Sequence, residues 1–237
     1  MTRPLARTDA HTRRSVLAGG GTMALWTLAG CLGGGPSGGG EGTAAGGTPI
    51  ADHPAAATLA EQPLKGPDPF ESDAVIVAFE DPSCTRCRAF ERDTVPRIEA
   101  ELVEPGRASL VFRGYPVVYE WGGPATHALE ATFARDAEAF WALKDHYYGN
   151  QPDFDADNVL ELTREFLAAE TGVDADAVVG AVEAGATEAA VRADLDAGMT
   201  AGAGRTTPTV FLFRDGRYRT KAAGSVSFSV VRNALGL

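Results

Sequence analysis

Cysteine is scarce in this chain of 237 residues. It occurs three times, as Cys31, Cys84 and Cys87. That number excludes a framework of structural disulfides, so each cysteine needs its own account. Positive charge is also short, with 21 Lys and Arg against 32 Asp and Glu for a net charge of −11. Residues 1–31 carry Arg3, Arg7, Arg13 and Arg14 against Asp9, a local charge of +3 that leaves −14 on the remainder. Such a charge argues against a nucleic acid or an anionic membrane surface as partner. Long apolar runs are missing too: the stretch Val16 to Gly30 has 15 residues, too few to span a bilayer comfortably. Glycine, by contrast, is abundant at 28 residues, which points to a low-complexity segment.

That segment is residues 33–47, which hold nine glycines. It cannot bury enough apolar surface to offset its ordering entropy and reads as part of a flexible tether over residues 32–57. A Gly-rich coil of that length spans roughly 28 Å r.m.s.. Before it, residues 1–31 read as an export signal with a basic start, an apolar middle and a small-residue end. Thr12-Arg13-Arg14-Ser15-Val16-Leu17 resembles the twin-arginine export motif, with Val16 where phenylalanine is commonest. Leu28-Ala29-Gly30-Cys31 resembles a lipobox, in which the cysteine thiol carries a diacylglyceryl group. Two acyl chains would give stable anchoring on the outer face of a cell membrane. The acidic remainder reads either as an ordinary soluble surface or as one like those of halophilic proteins.

The folded domain is expected over residues 58–237. Ala74 to Phe79 is an unbroken apolar run, as in a strand buried on both faces. A helix is expected from Cys84 to about Val103, with Cys87, Phe90, Thr94, Ile98 and Leu102 as its core stripe and a kink at Pro96. Ala108 to Phe112 reads as a second strand, parallel to the first, completing a βαβ unit. Residues 124–203 read as a helical block. Its stripe of Leu129, Phe133, Ala137, Phe140 and Tyr147, with Trp141 and Tyr148 beside it, reads as core packing. Asp157, Asp174 and Thr187 are expected to cap its later helices. Thr209 to Phe213 and Tyr218 to Ala223 flank an Asp215-Gly216 hairpin signal. A closing helix follows from Val226, capped by Ser225.

The chemistry concentrates at Cys84-Thr85-Arg86-Cys87. Helix phase is expected to bury Cys87 on the core-facing line and to expose Cys84 at the first turn, where unpaired N–H groups and the macrodipole favour a thiolate. Cys84 is then the attacking and leaving sulfur, and Cys87 resolves the mixed disulfide. Arg86 adds positive charge beside Cys84, while Glu80 and Asp81 oppose it. A structural disulfide is disfavoured because its loop is too short to restrict the unfolded chain much. A structural zinc wants four ligands. His11 leaves with the signal, His53 lies at the tether, and His127 and His146 have no partner at ligand spacing. No metal or cofactor is expected beyond the redox-active Cys84–Cys87 pair itself.

Over residues 60–237 the chain resembles the DsbA-like thioredoxin-fold proteins. The resemblance rests on Phe79-Glu80-Asp81, Cys84-x-x-Cys87, Val95-Pro96-Arg97, Phe112-Arg113-Gly114-Tyr115-Pro116, Phe140-Trp141 with Asp145-His146, and Thr206-Thr207-Pro208-Thr209. It implies an α/β thioredoxin-like fold, βαβ then ββα, with a helical subdomain inserted between the halves. It further implies that Pro208 is cis and lies against the cysteines, and that Thr207 offers backbone groups to a substrate strand. On its residues alone Pro208 reads equally well as a strand-initiating proline. Thr85 stands where the family usually has proline, and Arg86 at the position that tunes the nucleophile. The implied function is thiol–disulfide exchange with exported proteins, in the oxidising direction, with a membrane or soluble partner to regenerate the site. A reductase or isomerase of the same fold is the alternative within that class. A non-catalytic binding lipoprotein is the alternative from another.

Overall fold

The computed structural model describes residues 47–237. Five strands form one mixed sheet in the order β1-β3-β2-β4-β5. They are β1 (Leu64–Lys65), β2 (Ala74–Glu80), β3 (Ser109–Gly114), β4 (Thr209–Arg214) and β5 (Arg217–Ala223). β2 lies at the centre, parallel to β3 and antiparallel to β4. Its apolar run is buried on both faces, with every residue from Ala74 to Phe79 at most 2% exposed. Ile76 and Ala78 pack on one side with Phe90, Ile98, Leu102, Val231 and Leu235. Val75, Val77 and Phe79 pack on the other with Ile50, Leu59, Tyr115 and Ala197. Asp215 and Gly216, at φ of 53° and 69°, make the two-residue β4–β5 turn. The fold is thus thioredoxin-like, βαβ then ββα, with a helical insertion.

The helix expected from Cys84 to Val103 is divided into α1 (Thr85–Asp93), α2 (Val95–Ile98) and a π-helical turn, Glu99–Val103. The division falls at Thr94 because Pro96, in the first turn of α2, has no N–H to continue the ladder. The polar member of the stripe is satisfied, since Thr94 Oγ1 donates to Val226 O at 2.9 Å. Cys87, Phe90, Ile98 and Leu102 are all buried, as their spacing implies.

The insertion comprises α3 (Gly122–Phe133), α4 (Ala137–Gly149), α5 (Val159–Glu170), α6 (Ala175–Glu183) and α7 (Glu188–Ala201). Asp174 caps α6 through Ala177 N, but Asn158 rather than Asp157 stands at the cap of α5. Thr187 stands at the cap of α7, yet its hydroxyl contacts His127 Nδ1 at 2.9 Å rather than the helix. The closing helix α8 (Phe228–Leu235) is capped by Ser227 and not by Ser225. The carbonyl of Val226 is already committed to Thr94, which keeps that residue outside the helix.

The tether expected through residue 57 ends earlier. Ile50 N donates to Gly216 O and Tyr218 N donates to Thr48 O, both at 2.8 Å, so the chain pairs with the open edge of β5. Gly47 is required for this approach, because a Cβ there would lie 1.9 Å from Tyr218 O. Ile50, Ala55 and Ala56 are buried, and the His53 ring stacks on Tyr218 at 4.5 Å. Past the glycine run the segment carries apolar anchors, and those join the sheet's core. A buried ion pair then locks it: Arg113 donates to Asp194 at 2.6 Å and to Ala55 O at 3.2 Å. Asp194 also accepts from Gln62 and from Gly114 N. The proposed signal, with Arg13, Arg14 and Cys31, and the tether up to residue 46 lie outside the described residues.

Candidate active site

β2 delivers Glu80 to the carboxyl end of the sheet, and the turn Asp81-Pro82-Ser83 carries the chain into α1. The Asp81 carboxylate takes four hydrogen bonds, from Ser83 N (2.8 Å), Ser83 Oγ (2.6 Å), Val117 N (2.7 Å) and Val118 N (2.8 Å). Ser83 Oγ in turn accepts from Tyr119 N at 3.1 Å. Gly122 leaves room for this cluster, since a Cβ there would fall 2.4 Å from Asp81 Oδ1. Asp81 therefore braces the turn. Its expected role as an opposing charge on Cys84 is replaced by a positioning one, and it reaches Cys87 only through a backbone hydrogen bond.

Cys84 is the N-cap of α1, and its sulfur accepts from Cys87 N at 3.4 Å. An N-cap side chain takes up an orphaned first-turn donor, and a thiolate does so more strongly than a thiol. On its other side the sulfur lies 3.4 Å from the carbonyl of Thr207, to which the thiol form donates. The peptide Thr207–Pro208 is cis, and Gly224 N holds Pro208 O at 2.8 Å. The chain 123 residues away thus covers Cys84, which is only 2% exposed. This corrects the expectation that helix phase alone would expose Cys84 and shield Cys87. Both sulfurs are buried, and what separates them is their partners.

Those partners push the two thiols apart. The hydrogen bond from the Cys87 thiol draws Cys84 down to about 5, against the opposing effect of burial. The Thr207 hydroxyl and the backbone N–H groups of Cys87 and Arg86 add to the fall. That hydroxyl is buried with no hydrogen-bond partner, so it is available to donate to a thiolate. Burial raises Cys87 well above its ordinary value, reinforced by Cys84 and by the Glu80 charge. Arg86 acts on Cys84 through its main chain. Its exposed guanidinium faces Gly224 instead, so charge tuning by that side chain gives way to hydrogen bonding by its N–H.

Glu80 is 1% exposed, and its Oε2 has no hydrogen-bond partner. Burial and the neighbouring Glu91 raise its pKa well above the usual carboxylate range, while Lys144 pulls the other way. The Glu80 charge is among the causes that raise Cys87. Lys144 reaches from α4 beneath α1, where it pairs with Glu91 and, at 3.0 Å, with Asp145. Burial lowers its pKa, but Glu91, Asp145 and Glu80 together hold it above the ordinary lysine value. The Tyr148 hydroxyl, buried and unpartnered, completes the floor of the site.

A groove of about 230 Å³ runs between α1 and the β5–α8 turn, lined by Arg86, Ala89, Phe90, Asp93, Ser225 and Val226. His127 and His146 lie away from the sulfurs, the first against Thr187 and the second stacked on Phe166 at 4.0 Å. Among the described residues no three His, Cys, Asp or Glu side chains come together as metal ligands. Sequence reasoning missed Lys144, Glu91 and Tyr148 under the site. It also missed Gln151, whose amide donates to Pro82 O and Cys84 O at 2.7 and 3.0 Å. Only the Asp145-His146 neighbourhood of the helical block signalled that this part of the insertion serves the cysteines.

The arrangement is a dithiol with one stabilised thiolate, one shielded thiol and a buried carboxyl nearby. A family model described as thioredoxin matches residues 70–225, more than half of the chain. The chain is 30% identical over 76 residues to the probable disulfide bond formation protein D of Bacillus cereus, covering 32% of this chain and 35% of that protein. It is 28% identical over 94 residues to disulfide bond formation protein D of Bacillus subtilis, covering 39% of this chain and 40% of the other. The chain thus spans 35% and 40% of the length of these two curated relatives. Oxidised BdbD from Bacillus subtilis superposes with a TM-score of 0.64 at 19% identity, over 75% of this chain and 92% of that one. Alpha-DsbA1 from Wolbachia pipientis superposes with a TM-score of 0.62 at 18% identity, over 74% and 89%. With its cysteine pair at the head of α1 and a helical block inserted between βαβ and ββα, the chain belongs to the thioredoxin family and has its DsbA-like fold.

Proposed function

We propose that this protein is an extracytoplasmic thiol–disulfide oxidoreductase that oxidises dithiols of exported proteins through the Cys84–Cys87 disulfide. The observation that carries the reading is the opposite displacement of the two thiols, Cys84 down to about 5 and Cys87 well up. A pKa near 5 leaves about a hundred thiolates per thiol at pH 7. Strong thiolate stabilisation favours the reduced form and so makes the disulfide an oxidant.

A substrate thiolate attacks Cys84 Sγ of the disulfide, and the S–S bond breaks with its electron pair on Cys87. Cys87, a poor thiolate where it lies, takes up a proton as it leaves. The second substrate thiolate then attacks the substrate sulfur of the mixed disulfide, and Cys84 leaves as a stable thiolate. Two electrons pass from substrate to enzyme, and a redox partner removes them again. The groove beside Arg86 and the main chain of Thr207 would receive the substrate strand. Curated relatives named for disulfide bond formation support this reading.

Lipid anchoring through Cys31 after export directed by Arg13 and Arg14 would place the domain outside the membrane. Compartments of that kind are where protein disulfides persist. No described helix is long and apolar enough to cross a membrane.

The decisive experiment is Cys87→Ser in the full chain, expressed with its leader. Mixed disulfides through Cys84 should accumulate on non-reducing gels, and the purified wild type should oxidise a model dithiol peptide. No adduct together with no exchange would overturn the enzyme reading. A potential in the range of cytosolic reductants, roughly −270 mV, would reverse the direction. Labelling with a fatty-acid probe that persists in Cys31→Ser would remove the anchor.

A further inference from the structure

We propose that Gln151 is a positioning residue for the exchange site: its side-chain amide holds the carbonyls of Pro82 and Cys84 and thereby aims the Cys84 sulfur at the first-turn N–H of Cys87. The inference deepens the oxidoreductase reading and rests on it.

Gln151 opens a single 3₁₀ turn, Gln151–Asp153, directly after α4. Asn150 stops the helix, its backbone N–H and side-chain amide each donating to His146 O at 3.0 Å. Pro152 then prevents the helix from resuming. The side chain of Gln151 is thereby turned inward, with the residue 7% exposed. Its Nε2 sits 2.7 Å from Pro82 O and 3.0 Å from Cys84 O. An amide nitrogen carries two hydrogens in one plane, so one group can serve two carbonyls at once. Two facing carbonyls also settle which end of the amide is which, because an oxygen there would meet only acceptors.

Those carbonyls flank Ser83, the residue whose N–H and hydroxyl Asp81 holds from the opposite side. Cys84 N also donates to Asp81 O, at 2.9 Å. The turn is therefore clamped twice, by Asp81 from the strand end and by Gln151 from the helical insertion. Cys84 O has a second donor, Arg88 N at 3.0 Å, which is the first backbone bond of α1. Gln151 thus acts on the peptide that fixes where the Cys84 side chain leaves the helix end. The contact it steers is a long one, Cys87 N to Sγ at 3.4 Å, so a small rotation of Cys84 would forfeit it. A buried glutamine that merely satisfied its own polarity would have no such effect on sulfur.

The test uses Gln151→Met and Gln151→Leu in the full, reduced chain, both uncharged and neither a donor. The Cys84 pKa is read from thiolate ultraviolet absorbance, a signal present whether or not the chain exchanges disulfides, so loss of the proposed activity cannot imitate the result. The expected outcome is a rise of at least about half a unit, about threefold in the thiolate-to-thiol ratio. The equilibrium with glutathione should shift by a similar factor towards the enzyme disulfide. A folded variant with an unchanged pKa overturns the proposal, even if its melting temperature falls. Failure of both variants to fold also overturns it, since Gln151 would then be a structural residue.

Discussion

Acidifying the reduced protein should destabilise it in a way that its oxidised form does not share. In the folded, reduced state Cys84 titrates at about 5 rather than at the ordinary thiol value of 9.0. A depressed pKa means the folded state gives up the proton first. The resulting stabilisation is complete above the unfolded pKa and is lost as pH falls to about 5. Each pH unit inside that window is worth about 1.4 kcal/mol, so the full span has a ceiling of about 5 kcal/mol. Cys87 behaves oppositely: its raised pKa costs stability only above the ordinary thiol range, which closes the window at its alkaline end. Burial raises Glu80, Glu130 (to about 7) and Asp194, and these groups lose stability as pH climbs through the acid range. Glu130 and Asp194 act alike in both redox forms, so the difference between the forms isolates the cysteines together with Glu80, which acts on Cys87. Urea unfolding of reduced and oxidised full-length protein at half-unit steps from pH 4 to 9 measures it. The reduced-minus-oxidised stability should rise with pH across the window. A flat difference, or one that falls with pH, would refute the assignment of Cys84 as the stabilised thiolate.

Other consequences follow from single side chains. Thr207→Val removes the buried hydroxyl beside Cys84 while keeping the backbone; the Cys84 pKa should rise by about one unit in a thiolate absorbance titration. Arg86→Ala should leave that pKa within about 0.3 units, because the exposed guanidinium is screened by solvent and the main-chain N–H remains; a larger rise would restore the side chain as the tuning charge. Ile50→Asp should destabilise the full chain by about 2–3 kcal/mol in denaturant unfolding, since Ile50 is buried against the sheet. A free tether at that position would show no change.

What was legible in the sequence was local. The run Ala74–Phe79, the stripe from Cys87 to Leu102 and the Asp215-Gly216 turn each state their own structure within a dozen residues, and their order defines a thioredoxin-like chain. The burial of Cys84 was not legible, because its cover is Thr207, brought in by folding. Asp81 misled for a related reason. A carboxylate two residues from a strand end reads as a field on the next thiol, yet four donors from two loops had already engaged it. The end of the tether was hidden because pairing with the edge of β5 is a backbone event, marked only by Gly47 and the anchor Ile50. Ser225 and Ser227 are equivalent as caps until Thr94 occupies the carbonyl between them.

The misses at the site share a direction, and it bears on how the site works. Each concerns a group that reaches the cysteine turn from far along the chain: Thr207 from the second half of the fold, Lys144 and Gln151 from the insertion, and Val117 and Val118 from the loop after β3. The CxxC itself supplies two sulfurs and a helix end, and a helix end alone contributes only about 0.3–1 kcal/mol at an exposed site. Drawing a thiol down to about 5 while burying it requires donors fixed in place before the charge forms. Cys87, Thr207 and the first-turn N–H groups are those donors, and Asp81 with Gln151 holds the turn on which their geometry depends. The helical insertion is therefore more than a lid over the sulfurs. Its Gln151 amide holds the turn that carries Cys84, and its Lys144 ammonium acts on Glu80, which in turn acts on Cys87, so changes in its packing should register at Cys84 before they register in the stability of the sheet.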